Sequence, residues 1–196
     1  MKHLVCCLLA LAVGAVASAQ DNPLAKSSAG DWAKYLVTTK NETIPLMSTK
    51  DQQHWRVVKF VDNDAVGING YFMVGENRST TGGNIYNLKD RYEPVLGIMR
   101  SKQVQVVSTS KEKLTVGGKQ YECTKIVRKV DQPVDEAAME SSWIGTSTVW
   151  MSDAVPLGLV KMENAYHTRL TKDDEGMKIS ETWVLAEYGY KDWKEE

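Results

Sequence analysis

Cysteine is nearly missing from this chain. Of three in 196 residues, Cys6 and Cys7 lie inside an apolar N-terminal run, and only Cys123 lies beyond it. With that run removed no intrachain disulfide can form, so the fold must rest on its core. Cys123 sits in the strand-like stretch Tyr-Glu-Cys-Thr-Lys-Ile-Val and reads as a small buried hydrophobe. Histidine is as scarce: beyond His3 there are only His54 and His167, without ligand spacing. No His-x-x-x-His, Cys-x-x-Cys or calcium-loop pattern occurs, so no metal site is expected. There is no Gly-x-Ser-x-Gly elbow, and Gly82-Gly83 and Gly117-Gly118 lack the Lys-Ser or Lys-Thr sequel of a phosphate loop. The residues therefore imply no cofactor and mark no catalytic group.

An excess of charge is also missing. The chain has 24 basic and 25 acidic residues, a net charge of −1, with the signs interspersed. That balance argues against nucleic acid as a partner, because phosphate binding needs a basic footprint. The acids that do cluster, Asp62 with Asp64, Asp135 with Glu136, and Asp173 to Glu175, fall in expected turns or at a helix start. Carboxylates there cap backbone donors or stay solvated. A hydrolase that assembles two distant carboxylates in a cleft is the enzymatic reading left open.

Long apolar runs are missing as well. Leu4 to Val16 is too short to span a bilayer, which takes roughly 20 residues. Lys2 and His3 before it and Ala17-Ser18-Ala19 after it complete a signal-peptide pattern, so residues 1–19 are expected to be removed on export. The product would be periplasmic or secreted, would not span a membrane, and would keep 177 residues, a size suited to one domain.

What is present is strand after strand. Residues 20–30 read as a tether or short helix with Pro23 at its start, and 31–190 as a single antiparallel β domain, followed by a charged, frayed tail at 191–196 in which Trp193 is the one possible anchor. Strands are expected from Trp32, over Trp55 to Val61, over Val66 to Val74, over Lys102 to Thr109, over Lys111 to Val116 and over Lys119 to Val130. Paired glycines at 117 and 118 suit a primed hairpin turn. A further hairpin is expected over Thr148 to Glu163, whose Ser-Asp-Ala-Val-Pro-Leu-Gly connection no regular strand could contain, and a last pair over Tyr166 to Thr171 and Met177 to Tyr188. Polar stretches at 41–53 and 75–84 read as loops, 85–99 as irregular or briefly helical, and 132–142 as a short helix.

The sum is a mainly β fold: a curled antiparallel sheet, an unclosed or half barrel, with two or three short helices. Aromatic and flexible apolar side chains are frequent on the strands, six tryptophans among them. They either fill the core or line an apolar concavity. The candidate ligand-binding residues are Trp55, Ile68, Phe72, Trp150, Met162, Trp183 and Leu185. Glu163 reads as a charge at a strand end.

The Gly-Asp-Trp-Ala-Lys-Tyr opening of the first strand, and the Trp150 strand, Pro-containing turn and Val-Lys-Met-Glu strand, resemble exported lipoprotein-carrier proteins of the LolA type and their relatives of unknown function. The resemblance implies an unclosed barrel with a hydrophobic concavity and carries over no catalytic residue; no arginine maps onto the one that closes the carrier's lid. The leading expectation is an exported, non-enzymatic protein that binds a lipid, an acyl chain or another apolar ligand on its concave face. The alternative is a module that meets another envelope protein through a strand edge or through the 75–84 loop.

Overall fold

A computed structural model of the chain describes residues 22–90, 104–134 and 141–194. Nine strands follow one another: β1 (Trp32–Asn41), β2 (Thr49–Val61), β3 (Ala65–Val74), β4 (Asn77–Asn87), β5 (Val104–Val116), β6 (Lys119–Gln132), β7 (Ser142–Met151), β8 (Leu159–Arg169) and β9 (Met177–Gly189). They form one antiparallel sheet in the order β4-β3-β2-β1-β9-β8-β7-β6-β5, not closed into a barrel. The first and last strands pair in the middle, and each half of the chain meanders outward or inward from that seam. β4 and β5 are the two free edges.

Turn chemistry explains the meander. Gly117 and Gly118 take φ of +57° and +76°, the primed turn that joins β5 to β6. Asp62 closes the β2–β3 turn by accepting from the Asp64 and Ala65 amides at 3.0 and 2.7 Å. Asp174 does the same before β9, accepting from the Gly176 amide at 2.9 Å and the Leu170 amide at 3.2 Å.

Six of the eight strand pairs carry a register shift. Each bulge adds local twist and bend, so the sheet rolls up. The roll brings the β5–β6 hairpin back towards β9, although β7 and β8 lie between β6 and β9 in the sheet: Lys119 Nζ lies 5.6 Å from the centre of the Tyr188 ring.

One end of the roll is stoppered. Pro23–Lys26 makes a single 3₁₀ turn, capped by Asn22, whose Oδ1 accepts from the Leu24 amide at 3.0 Å, and Leu24 is fully buried. Asn22 Nδ2 donates to the Asp90 carbonyl at 2.9 Å, and Gly158, lacking a Cβ, lets the β7–β8 connection close against Pro23. Tyr35 on β1 donates to the Leu159 carbonyl at 3.2 Å, fixing the same end to the sheet.

Several expectations are corrected here. The described residues contain no α-helix, only 3₁₀ turns at Pro23–Lys26 and Pro45–Met47, so two or three short helices are not found among them. The helix expected over 132–142 and the segment 85–99 lie largely outside the described residues, as does the signal peptide. The supposed loop at 75–84 is mostly β4: only a turn at Gly75, φ +60°, precedes it, and its polar residues suit an edge strand facing water. Likewise β2 begins at Thr49 within the supposed 41–53 loop, and the two short strands before Gly117 are one bulged strand, β5. β8 runs without a break from Leu159 to Arg169, so Glu163 is mid-strand, with its Oε1 2.6 Å from Lys161 Nζ.

Candidate ligand-binding face

Register decides which side chains share the concave face. One row runs straight across five strands: Ile126 opposite Val149, Val149 opposite Met162, Met162 opposite Trp183, and Trp183 opposite Val37. All five are buried. Leu185 follows two residues on, opposite Tyr35, and the Tyr35 and Trp183 ring centres are 5.8 Å apart. On the other side of β1, His54 stands opposite Tyr35 and Phe72 opposite His54, and Ile68 lies on the same face of β3 as Phe72.

Five of the seven candidates, Ile68, Phe72, Met162, Trp183 and Leu185, are therefore brought together. By register, Trp55 and Trp150 stand on the opposite face of their strands. Trp150 pairs with Lys125 on one side and Lys161 on the other, on the convex face, with the two ammonium groups 5.1 and 5.0 Å from its ring centre. Its Nε1 donates to Glu112 Oε1. Trp55 pairs with Lys34 and Tyr71, also on the convex face, under Lys34 Nζ at 5.4 Å and the Arg78 guanidinium at 5.4 Å. Both rings are buried beside cations; Trp150 also belongs to the same buried hydrophobic cluster as Met162, Trp183 and Leu185, whereas Trp55 does not. A bulge between Trp150 and Met151 shifts the register by one residue, and a one-residue shift moves a side chain to the opposite face. A second bulge, before Glu187, turns Tyr188 onto the concave side, where the alternation Ile179, Trp183, Leu185 would have placed it outside.

Sequence reasoning missed the polar groups on this face. Beside the apolar row runs a second one: Arg128 opposite Ser147, Ser147 opposite Asn164, Asn164 opposite Glu181, and Glu181 opposite Thr39. Arg128 and Ser147 are 0% exposed and Asn164 3%. Asn164 Nδ2 donates to Glu181 Oε2 at 3.2 Å. Ser147 Oγ and Asn164 Oδ1, although buried, have no hydrogen-bond partner. Two more such atoms are Trp183 Nε1, in the apolar row, and His54 Nδ1, across the seam on β2. Ser27 Oγ, Arg169 Nε and Trp193 Nε1 share that condition but lie off these two rows. The signal for the polar row was a strand whose concave positions read Ile126, Arg128, Val130, an arginine in an apolar phase.

Electrostatics on the face is set by burial. His54 Nε2 shares a hydrogen bond with Gln52 Oε1 at 3.1 Å, and its ring stacks 5.8 Å from Phe72 and meets Trp183 edge-on at 5.0 Å. Burial, and then the nearby Arg56 guanidinium, pull its pKa down to about 4, so it is neutral at pH 7. Burial lifts the Tyr35 hydroxyl, and burial with Glu181 lifts that of Tyr166, well above the ordinary phenol range. Burial, with Glu112 and Glu122 behind it, pushes the Cys123 thiol up to about 11, so it is a protonated, weak nucleophile.

Among the described residues no group of three metal-ligating side chains converges. A shallow hollow of about 330 Å³ lies between Glu42, Ile144, His167 and Lys178. There the His167 Nε2 is tied to the Glu175 carbonyl at 2.8 Å, a bond that serves the β8–β9 turn. No helix among the described residues is long and apolar enough to cross a membrane. No family model, curated protein or solved structure matches the chain.

Proposed function

We propose that this is an exported, non-enzymatic binding protein that holds an amphiphile, a lipid or acyl chain with a polar head, against the concave face of its rolled sheet. The observation that carries the reading is the pairing of the two rows. The apolar row Ile126–Val149–Met162–Trp183–Val37 crosses five strands, which at roughly 4.8 Å per strand gives an apolar strip of about 19 Å. The row beside it holds buried polar atoms that the protein itself leaves without partners. Native folds leave few such atoms, and each calls for an occupant or a trapped water. An amphiphile meets both rows at once. Export rests on the leader pattern in residues 1–19. A hydrolase gains nothing from the register, where Glu181 is flanked by Asn164 and Thr39 and by no second carboxylate.

Native mass spectrometry and lipid extraction of the purified protein, with a titration of a hydrophobic dye, test the proposal. Co-purified lipid or saturable dye binding supports it; the absence of both overturns it.

A second reading, a module that meets another envelope protein, is favoured by the β4 edge, which is exposed along most of its length, with Ile85 64% exposed. An edge of this kind accepts an added strand. Introducing a charge with Ile85→Lys should abolish such a contact and leave dye binding unchanged.

A further inference from the structure

Ser147 and Asn164 stand directly opposite each other on β7 and β8, where cross-strand Cβ atoms approach to about 5 Å. Both are withdrawn from water, yet the Ser147 hydroxyl bonds to nothing, and Asn164 uses only its amide nitrogen, towards Glu181. The pair thus offers one hydroxyl, able to donate, and one amide oxygen, able only to accept. A single hydroxyl from outside the protein completes both: it accepts from Ser147 Oγ–H and donates to Asn164 Oδ1. A carboxylate could satisfy only the serine, and an alkyl ester has no proton for the asparagine. The pair also borders the apolar row, since Val149 and Met162 are the next concave positions along the same two strands. A hydroxyl held here would have a chain attached to it lying along that row.

We infer that the Ser147–Asn164 pair is the head-group site of this face and selects an amphiphile whose head carries a free hydroxyl, of the glycerol monoester class. This rests on the binding reading proposed above and adds the chemistry of the head. Arg128, buried beside Ser147, frames the site.

The test compares two ligands with the same chain, 1-monooleoylglycerol and methyl oleate, displacing a hydrophobic dye from the delipidated full-length mature protein. The glycerol ester is expected to bind at least about tenfold more tightly, because methyl oleate leaves the buried pair unsatisfied. In Ser147→Ala the ratio should fall towards one, with methyl oleate unaffected. If both ligands displace the dye equally from the wild-type protein, a trapped water completes the pair and the head-group site is overturned while the chain site stands. If neither displaces a saturably bound dye, the head-group site is overturned and the binding reading stands on the dye; if no dye binds and no lipid co-purifies, the binding reading falls and takes this site with it. Ser147 Oγ has no partner to lose, so the variant should fold; should it not, the wild-type ratio alone decides.

Discussion

The Arg56 guanidinium lies 5.2 Å from the centre of the Trp183 ring, on the buried face of the sheet. That contact needs room, which Gly70 supplies: it stands opposite Arg56 on β3, and a Cβ added there would collide with Arg56 Nη1 and with Thr81 Oγ1. Gly70→Ala should therefore push the guanidinium off the indole. Overpacking of this kind destabilises by about 1–3 kcal/mol. The variant is expected to unfold at lower denaturant and to show altered tryptophan emission; an unchanged midpoint would mean that Arg56 has space elsewhere.

His54 sets a pH dependence. Its folded pKa, about 4, lies below the ordinary 6.5, because burial and then Arg56 disfavour the imidazolium. The unfolded chain therefore binds the proton more readily. The contribution to stability is complete above pH 6.5 and is lost as pH falls from 6.5 towards about 4. Urea midpoints measured across that window should decline in the wild type. They should decline less in His54→Gln, and parallel curves would refute the assignment.

The two faces can be separated by tryptophan. Trp150→Ala removes a buried ring clamped between Lys125 and Lys161, and Phe or Trp truncations of that kind cost about 3–5 kcal/mol. Because that ring lies on the convex face, dye binding by the folded variant should match the wild type. Trp183→Ala, on the concave face, should weaken both stability and dye binding. Equal effects on dye binding would place the ligand somewhere other than the concave face.

Alternation and turn chemistry made most of the strands legible. Val66 to Val74 alternates as a strand should, and Gly117-Gly118 announces its hairpin, because both signals are local. Face assignment across a hairpin was less accessible. Whether Trp150 shares a face with Met162 depends on one bulge beside a seven-residue connection, and nothing in the residues of either strand fixes that shift. β4 was hidden for a different reason: an edge strand exposed on most positions carries Ser, Thr, Asn and Gly, the composition of a loop. The polar row was equally hidden, since Arg128, Ser147, Asn164 and Glu181 lie on four strands and only the register aligns them.

The C-terminal residues supply the last test. Trp193 stacks on Tyr71 at 5.7 Å and meets Trp32 at 5.9 Å, under the Arg78 guanidinium at 4.8 Å, while Trp32 Nε1 donates to Asp192 Oδ1 at 2.6 Å. Residues 191–193 thus cover the convex aromatic patch around Trp55. The sequence offered Trp193 as the anchor of an otherwise frayed tail, and this packing is what anchoring requires. Half-buried aromatic and cation–π contacts contribute about 0.5–1.5 kcal/mol each. Trp193→Ala should lower stability by about 1–3 kcal/mol and leave the concave face untouched, since the two lie on opposite sides of the sheet. Hydrogen exchange would read the loss as faster exchange at the Trp193 amide, which donates to the Gly30 carbonyl at 3.3 Å, with β8 and β9 amides unchanged. Faster exchange throughout β8 and β9 would show instead that the tail holds the whole sheet together.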